Sequence, residues 1–335
     1  MDQTVVCPAR NDELVCQSVP VTLDPRAAVC VLGTGLIGGS LLRAAVAAGY
    51  EAFGYNRSES GIEAARRDGF DVSGELSAVL RRAAAADALL VLAVPMPAVG
   101  RLLAEIAVHA PWCPLTDVVS IKVPVADAVR EQGLQAGYVG GHPMTGTSES
   151  GWAATDPELF RDAVWAVGVD EGTRVEPWLR VVRLALDCGS VVVPVVAEEH
   201  DRAVARISHL PHVLAEALAA AGAAGGELAL GLAAGSFRDG TRVAGTAPDL
   251  VRAICEPNAT ALERVLDETI DALVAARDAL RADGTLGELV EAGYRGRTAY
   301  EGRSQWDITG IAPGVGDWLA DLHRAGQQGG VLRAL

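Results

Sequence analysis

Lysine is almost missing from this chain: Lys122 is the single one among 28 Lys and Arg residues. Positive charge is short as a whole, since 43 Asp and Glu leave a formal net charge of −15 over 335 residues. Nucleic acid and anionic membrane both require a basic surface, so neither is an expected partner. A small anionic ligand stays open, because one or two local cations suffice for it. Long apolar runs are also lacking. None reaches the ~18–20 residues that span a bilayer, and the alanine-rich stretch from Val213 is interrupted by Glu216 and Glu227. The first residues show no basic segment followed by an apolar one, so no signal peptide is expected. Close cysteine pairs are missing too: Cys7, Cys16, Cys30, Cys113, Cys188 and Cys255 lie scattered without a C-x-x-C. That spacing predicts reduced thiols, a cytoplasmic protein and no cysteine metal site.

What is present is apolar and alternating. Half of the residues are hydrophobic, and the length suits two domains better than one core. Residues 1–26 show no periodicity and read as an irregular extension. From Ala28 to about Gly141, short apolar runs alternate with amphipathic stretches, as in an open α/β sheet. "AAVCVL", "EAFGY", "DALLVLAV", "PLTDVV" and "GYVGG" read as strands, with helices at 36–48 and 59–68 among the connections. "AVWAVGV" and "SVVVPVV" read as two more strands. From Ala197 the pattern turns almost wholly helical, including a long amphipathic stretch from Asn258 to Asp283. The expected division is 1–26 extension, 27–190 dinucleotide-binding unit and 191–335 helical unit.

The chemistry-bearing residues fall into six clusters. "VCVLGTGLIGGS" sets Gly33, Gly35 and Gly38 in G-x-G-x-x-G between a strand and a helix. This is the dinucleotide fingerprint, in which backbone and helix N-terminus take the pyrophosphate. Leu36 and Ile37 at the helix start and Val94 and Pro95, at and just past the end of "DALLVLAV", belong to the same cofactor surface. The second strand ends in Asn56, Arg57 and Ser58, where an NAD site commonly carries Asp or Glu. An arginine between small polar residues suits a 2′-phosphate, so NADP is favoured and NAD is the alternative. "PLTDVVSIK" puts Ser120 and Lys122 just past a strand end facing the ligand crevice, although a capping serine beside a solvated lysine is the plain alternative. "GGHPMTGTSES" holds His142 between Gly-Gly and Pro143, and the proline stiffens the backbone and extends the residue before it. Thr147 and Ser148 follow as small substrate-side residues.

Two clusters lie in the helical half. His209 and His212, three residues apart, share a helical face. A substrate-facing pair fits better than a metal site, for no third ligand stands at a suitable spacing, and buried structural histidines are the plain alternative. His200, nine residues before His209, falls on the opposite face of a regular helix. "FRDGTR" places Arg238, Asp239 and Arg242 among glycines, where Arg242 can fork onto a carboxylate or simply pair with Asp239.

In order, GTGLIGGS, T-D-V-x-S-x-K, G-x-H-P-M-x-G, S-H-L-P-H and F-R-D-x-T-R resemble the prephenate/arogenate dehydrogenase family of tyrosine biosynthesis over residues 28–300. The resemblance implies an α/β architecture: an N-terminal Rossmann-type doubly wound sheet, then an all-helical C-terminal dimerisation domain. It implies NAD(P)-dependent oxidative decarboxylation of a small anionic cyclohexadienyl substrate, prephenate or arogenate, by a homodimer without a metal. In this likeness His142 is the base that takes the ring hydroxyl's proton and Ser120 orients it. Arg242 binds a substrate carboxylate, and His209 and His212 line the pocket. Family members often carry an acidic residue where this chain has Ser148, with Glu149 following. The stretch before the fingerprint is too short for a fused mutase domain, and a single function is expected. An enzyme acting on an amino analogue such as 4-amino-4-deoxyprephenate and a non-catalytic NADP-binding protein are the other readings. Hydroxyacid dehydrogenases of similar layout use an interdomain lysine, and none follows Lys122.

Overall fold

The computed structural model describes residues 27–147 and 149–335. The expectations for residues 1–26 and for Ser148 lie outside the described residues.

The first half alternates strand and helix as its periodicity predicts. β1 (Val29–Leu32) leads into α1 (Leu36–Ala47), β2 (Ala52–Tyr55), α2 (Glu59–Arg67), a short β3 (Val72–Ser73) and α3 (Leu76–Ala85). β4 (Leu89–Leu92), α4 (Met96–His109), β5 (Leu115–Asp117), α5 (Val123–Glu131) and β6 (Tyr138–Val139) complete the unit. All six strands are parallel, in the order β3-β2-β1-β4-β5-β6. β1 (VCVL) and β4 (LLVL) are buried at every position, which a parallel strand covered by helices on both faces requires. Successive β1 side chains serve opposite layers: Val29 and Val31 join one apolar cluster, Cys30 and Leu32 the other. α2 is bounded by local chemistry, since Ser58 Oγ accepts from Gly61 N at its start and Arg66 and Arg67 sit in its last turn. The strand order reverses between β1 and β4, and ligands of such sheets bind at the strand ends beside that point.

"GYVGG" proves to be two strands. Tyr138–Val139 closes the parallel sheet, whereas Gly141–Pro143 (β7) crosses to a second sheet with β8 (Val164–Gly168) and β9 (Val191–Val195). β7 runs antiparallel to β8, with His142 opposite Ala166. The crossing needs a bare backbone, because a Cβ on Gly141 would lie 2.6 Å from the carbonyl oxygen of Asp117. α6 (Val175–Asp187) joins β8 to β9.

The second half is helical. α7 (Ala197–Val204) runs into a π turn (Ala205–His209) and then α8 (Leu210–Ala224). Two short helices, α9 (Gly226–Gly231) and α10 (Gly235–Gly240), precede α11 (Pro248–Cys255), the long α12 (Ala259–Asp283) and α13 (Gly287–Glu301). The end of the chain departs from the all-helical expectation by returning to the sheets. β10 (Trp306–Asp307) pairs with β11 (Gly330–Val331), and α14 (Trp318–Gln327) lies between them. Leu332 bridges to Val192 in β9, and Trp318 meets Trp178 of α6 edge-on at 5.2 Å between ring centroids. Trp318, Leu322 and Ala325 thereby enter one of the two core clusters.

Candidate active site

Gly33 has φ +107°, in the left-handed region that suits glycine, and a Cβ there would meet the Ala93 carbonyl oxygen at 2.4 Å. Gly38 faces Gly33, and its Cβ would sit 1.9 Å from that residue's carbonyl oxygen. A Cβ on Gly35 would meet nothing within 4 Å. Gly35 instead borders a cavity of about 370 Å³ that also takes in Leu36, Ile37, Gly38, Val94 and Pro95. An open, donor-lined notch at the first residues of a helix fits a dinucleotide's pyrophosphate. The two glycines should therefore fail differently. Gly38→Ala should disrupt the loop and lower the melting temperature, whereas Gly35→Ala should fold normally and weaken dinucleotide binding by at least ~10-fold. Thermal melts and nucleotide titrations on the two variants check this.

At the adenosine end the three residues do different work. Asn56 Nδ2 donates to Thr34 Oγ1 at 2.8 Å and its Oδ1 accepts from Ser58 N at 3.2 Å, so Asn56 braces the loop. Ser58 caps α2. Arg57 is exposed and makes no ion pair among the described residues.

The cavity continues along Val118–Ile121, with Ser120 among them, and along Thr145–Thr147 beyond β7. Glu149, Leu250, Ala253 and Ile254 also border it. Ser120 does not cap α5, whose first residue follows Lys122. Lys122 is not solvated either: its side chain is 5% exposed and pairs with the fully buried Asp117. Its Nζ also donates to the Gly141 carbonyl oxygen at 2.6 Å. Asp117 further accepts from Tyr138 OH at 2.7 Å and Val119 N at 2.8 Å. Burial pulls the Lys122 ammonium's pKa down, and the Asp117 charge resists without cancelling it. The lone lysine thus ties the end of β5 to the strand that carries His142, and Asp117 in turn holds Tyr138 of β6.

His142 is only partly exposed, and its Nδ1 lies 2.9 Å from His200 Nε2. His200 Nδ1 lies 2.8 Å from Asp201 Oδ1. Asp201 accepts the backbone N–H groups of Lys122 and Val123, at 2.7 and 2.9 Å, where α5 begins. Burial, followed by the neighbouring His200, Lys122 and His209, pushes the His142 pKa well below the usual imidazole value. His209 is buried and pushed down to about 4, chiefly by desolvation. Its Nδ1 is 3.2 Å from Asn258 Nδ2, while its Nε2 and His212 Nδ1 have no hydrogen-bond partner. Asn258 Nδ2 donates to His209 Nδ1, so the neutral His209 ring carries its proton on Nε2, and such unpaired buried ring nitrogens suit a polar ligand that completes them.

Two expectations need correction. No hydrogen bond joins Ser120 to His142 among the described residues; the ring is held by His200 instead. The opposite-face argument against His200 assumed a regular helix between it and His209. The π turn at Ala205–His209 inserts wider i→i+5 turns and shifts the phase, so both histidines face the same cluster. Arg242 opens a short 3₁₀ turn (Arg242–Gly245) that packs on α8. It is exposed and makes no ion pair with Asp239, whose carboxylate pairs with Arg238 at 3.6 Å. The structure therefore gathers His142, His209 and His212 with the unforeseen His200 and Asp201, and leaves Arg242 on the surface of the helical half. Among the described residues, no group of three or more His, Cys, Asp or Glu is arranged to hold a metal ion. No helix described is long and apolar enough to cross a membrane.

Comparison with known proteins places this geometry. Residues 42–194 match the family model of the prephenate dehydrogenase nucleotide-binding domain, and residues 196–292 match that of the prephenate dehydrogenase dimerization domain. A crystal structure from Corynebacterium glutamicum, assigned provisionally as a prephenate dehydrogenase, is 49% identical with a TM-score of 0.87. That match covers 91% of this chain and 98% of the other. The cyclohexadienyl dehydrogenase of Zymomonas mobilis is 32% identical over 262 residues, 75% of this chain and 88% of that protein. The prephenate dehydrogenase of Lactococcus lactis is 32% identical over 225 residues, 64% of this chain and 60% of the relative's length.

Proposed function

This chain belongs to the prephenate dehydrogenase family, and from that premise we propose that it oxidatively decarboxylates prephenate, arogenate or both, as a cytoplasmic homodimer. Residues 27–190 serve as the dinucleotide-binding unit and 191–335 as the substrate and dimerisation unit. Leu273, Val290 and Tyr294 lie exposed on the single chain and offer apolar surface for a second copy. The observation that carries the reading is His142: a strand-held imidazole, kept neutral by its surroundings, on the strand that leads into Thr145–Thr147, which border the cavity lined by the dinucleotide fingerprint.

A nicotinamide dinucleotide held at Gly35–Gly38 would supply the acceptor for the hydride on the ring's carbinol carbon. His142 takes the hydroxyl proton, which it can do because burial keeps the ring unprotonated. Loss of carbon dioxide then makes the ring aromatic, and that supplies the driving force. Ser120 and Thr147 border the cavity as hydroxyl donors to substrate or cofactor. His209 Nε2 and His212 Nδ1 hydrogen-bond the substrate's polar groups. Arg242 takes a substrate carboxylate, and its exposure on a single chain leaves its guanidinium available for that pairing.

NADP is the preferred cofactor, because Arg57 alone at the adenosine end has no protein partner of its own among the described residues. Arg57→Ala should raise the KM for NADP by ~10-fold or more and leave that for NAD within about twofold, since a charged hydrogen bond is worth ~1.5–3 kcal/mol. Steady-state kinetics with both cofactors check it. The activity itself is tested with purified protein, both substrates and both cofactors, followed at the absorbance of the reduced nicotinamide. Reduction with NADP and at least one substrate is expected. Binding of cofactor without turnover of either substrate would leave a non-catalytic protein.

A further inference from the structure

The geometry points to a His142–His200–Asp201 relay in which His200 and Asp201 are positioning residues that fix the tautomer of His142 and leave its Nε2 as the free acceptor. The inference rests on His142 being the base and goes beyond it, by saying which ring nitrogen works and what holds it there.

Hydrogen-bond chemistry sets the direction of each link. Both oxygens of the Asp201 carboxylate accept backbone N–H groups at the start of α5, which fixes the carboxylate in place. Burial works against its charge, but the hydrogen bonds from His200, Val123 and Lys122 outweigh burial and keep it ionised. An ionised carboxylate has no proton to give, so His200 donates to it from Nδ1 across 2.8 Å. Where His200 holds a single proton, on Nδ1, its Nε2 offers only a lone pair. His142 must then donate from its own Nδ1 across 2.9 Å. Its remaining nitrogen, Nε2, carries a lone pair and has no protein partner among the described residues. This is the arrangement of a base oriented by a third group, with a second imidazole interposed. When Nε2 takes a proton, the charge sits one ring from Asp201.

The relay is rigid. His200 is 3% and Asp201 4% exposed, and Asn258 Nδ2 donates to the Asp201 carbonyl oxygen at 2.8 Å. The other charged or titratable groups around His142 are Lys122, with Asp117 and Tyr138 behind it, and His209 from the π turn. Lys122 and His209 both oppose protonation of His142, which leaves Asp201 as the anion nearest along the hydrogen-bonded chain.

Two variants and one spectrum test the relay. His200→Gln leaves the cap on α5 intact and cannot relay charge. It should lower kcat by ~10²-fold with substrate KM and cofactor Kd within threefold. Asp201→Asn should lower kcat as well, because its amide oxygen can still accept from Lys122 N and His200 but a neutral amide no longer stabilises the charge that develops on the two rings. It should also move the acid limb of the pH–rate profile to lower pH, since an anion that favours imidazolium is gone. Nitrogen-15 spectra of histidine-labelled wild-type protein should show His142 protonated at Nδ1 and bare at Nε2, a readout that needs no turnover and survives if a variant folds poorly. A His142 protonated at Nε2, or a His200→Gln enzyme within threefold of the wild-type kcat, would overturn the relay. If His142→Asn itself is fully active, the assignment of the base fails instead, and the two failures are thereby told apart.

Discussion

His142→Asn should bind the dinucleotide with unchanged affinity and lose between ~10² and ~10⁴-fold in kcat, the range that a positioned general base supplies. Asparagine keeps a donor near the position of Nδ1, so the link to His200 can persist while the acceptor at Nε2 is gone. KM should move little, because the interaction lost strengthens as the proton is transferred and is weak in the ground state. The pH profile carries the same assignment. A base whose pKa is depressed is protonated only below that lowered value, and above it the ring is competent. With the His142 pKa well below 6.5, the acid limb should lie on the acid side of pH 6.5, and the wild-type rate should be flat from there through neutrality. A rate that climbs through pH 7 would mean that another group limits it. Kinetics from pH 5 to 9 on wild type and variant decide the matter; a variant within about threefold of wild type would remove His142 from the mechanism.

Lys122→Met should cost about 3–5 kcal/mol of stability, the usual penalty for leaving one partner of a buried ion pair alone. Asp117 is fully buried, and its remaining donors, Tyr138 OH, Val119 N and the more distant Gly141 N, carry no compensating charge. Methionine fills a similar volume, so the loss is electrostatic and no cavity is formed. A fall in melting temperature on the order of 10 °C is expected. Function should suffer as well, since the Gly141 carbonyl loses the ammonium beside the strand that holds His142. The double variant Lys122→Met with Asp117→Asn should recover part of the stability, because no unpaired charge then remains. A Lys122→Met protein that melts within 2 °C of wild type, as read by calorimetry, would show that the pair is structurally idle.

Much of this architecture is legible in the order of the residues. β1 and β4 are uninterrupted apolar runs, as strands buried on both faces must be, and the glycine fingerprint sits between the strand and helix that give it meaning. The long helix at Ala259–Asp283 follows its amphipathic stretch. The failures have physical causes. "GYVGG" has one apolar texture, and nothing local says that Gly140 divides two sheets; the tight approach of Gly141 to Asp117 exists only in the folded chain. β3 is two residues long, too short for any period. A lysine five residues after an aspartate reads as surface charge, and only the crossing of β7 buries the pair. His200 was hidden by the π turn, since a face computed on a regular helix is wrong wherever the turn widens. The adjacent "HD" was the available signal, an imidazole next to a carboxylate, but a single such pair is common.

The most direct measurement of the central claim is stoichiometry. With prephenate or arogenate in excess over NADP, reduced cofactor, carbon dioxide and a para-hydroxylated aromatic product should appear in equal amounts and on one time course. Reduced cofactor formed without carbon dioxide, or no reduction from either substrate by a protein that binds NADP, would contradict it.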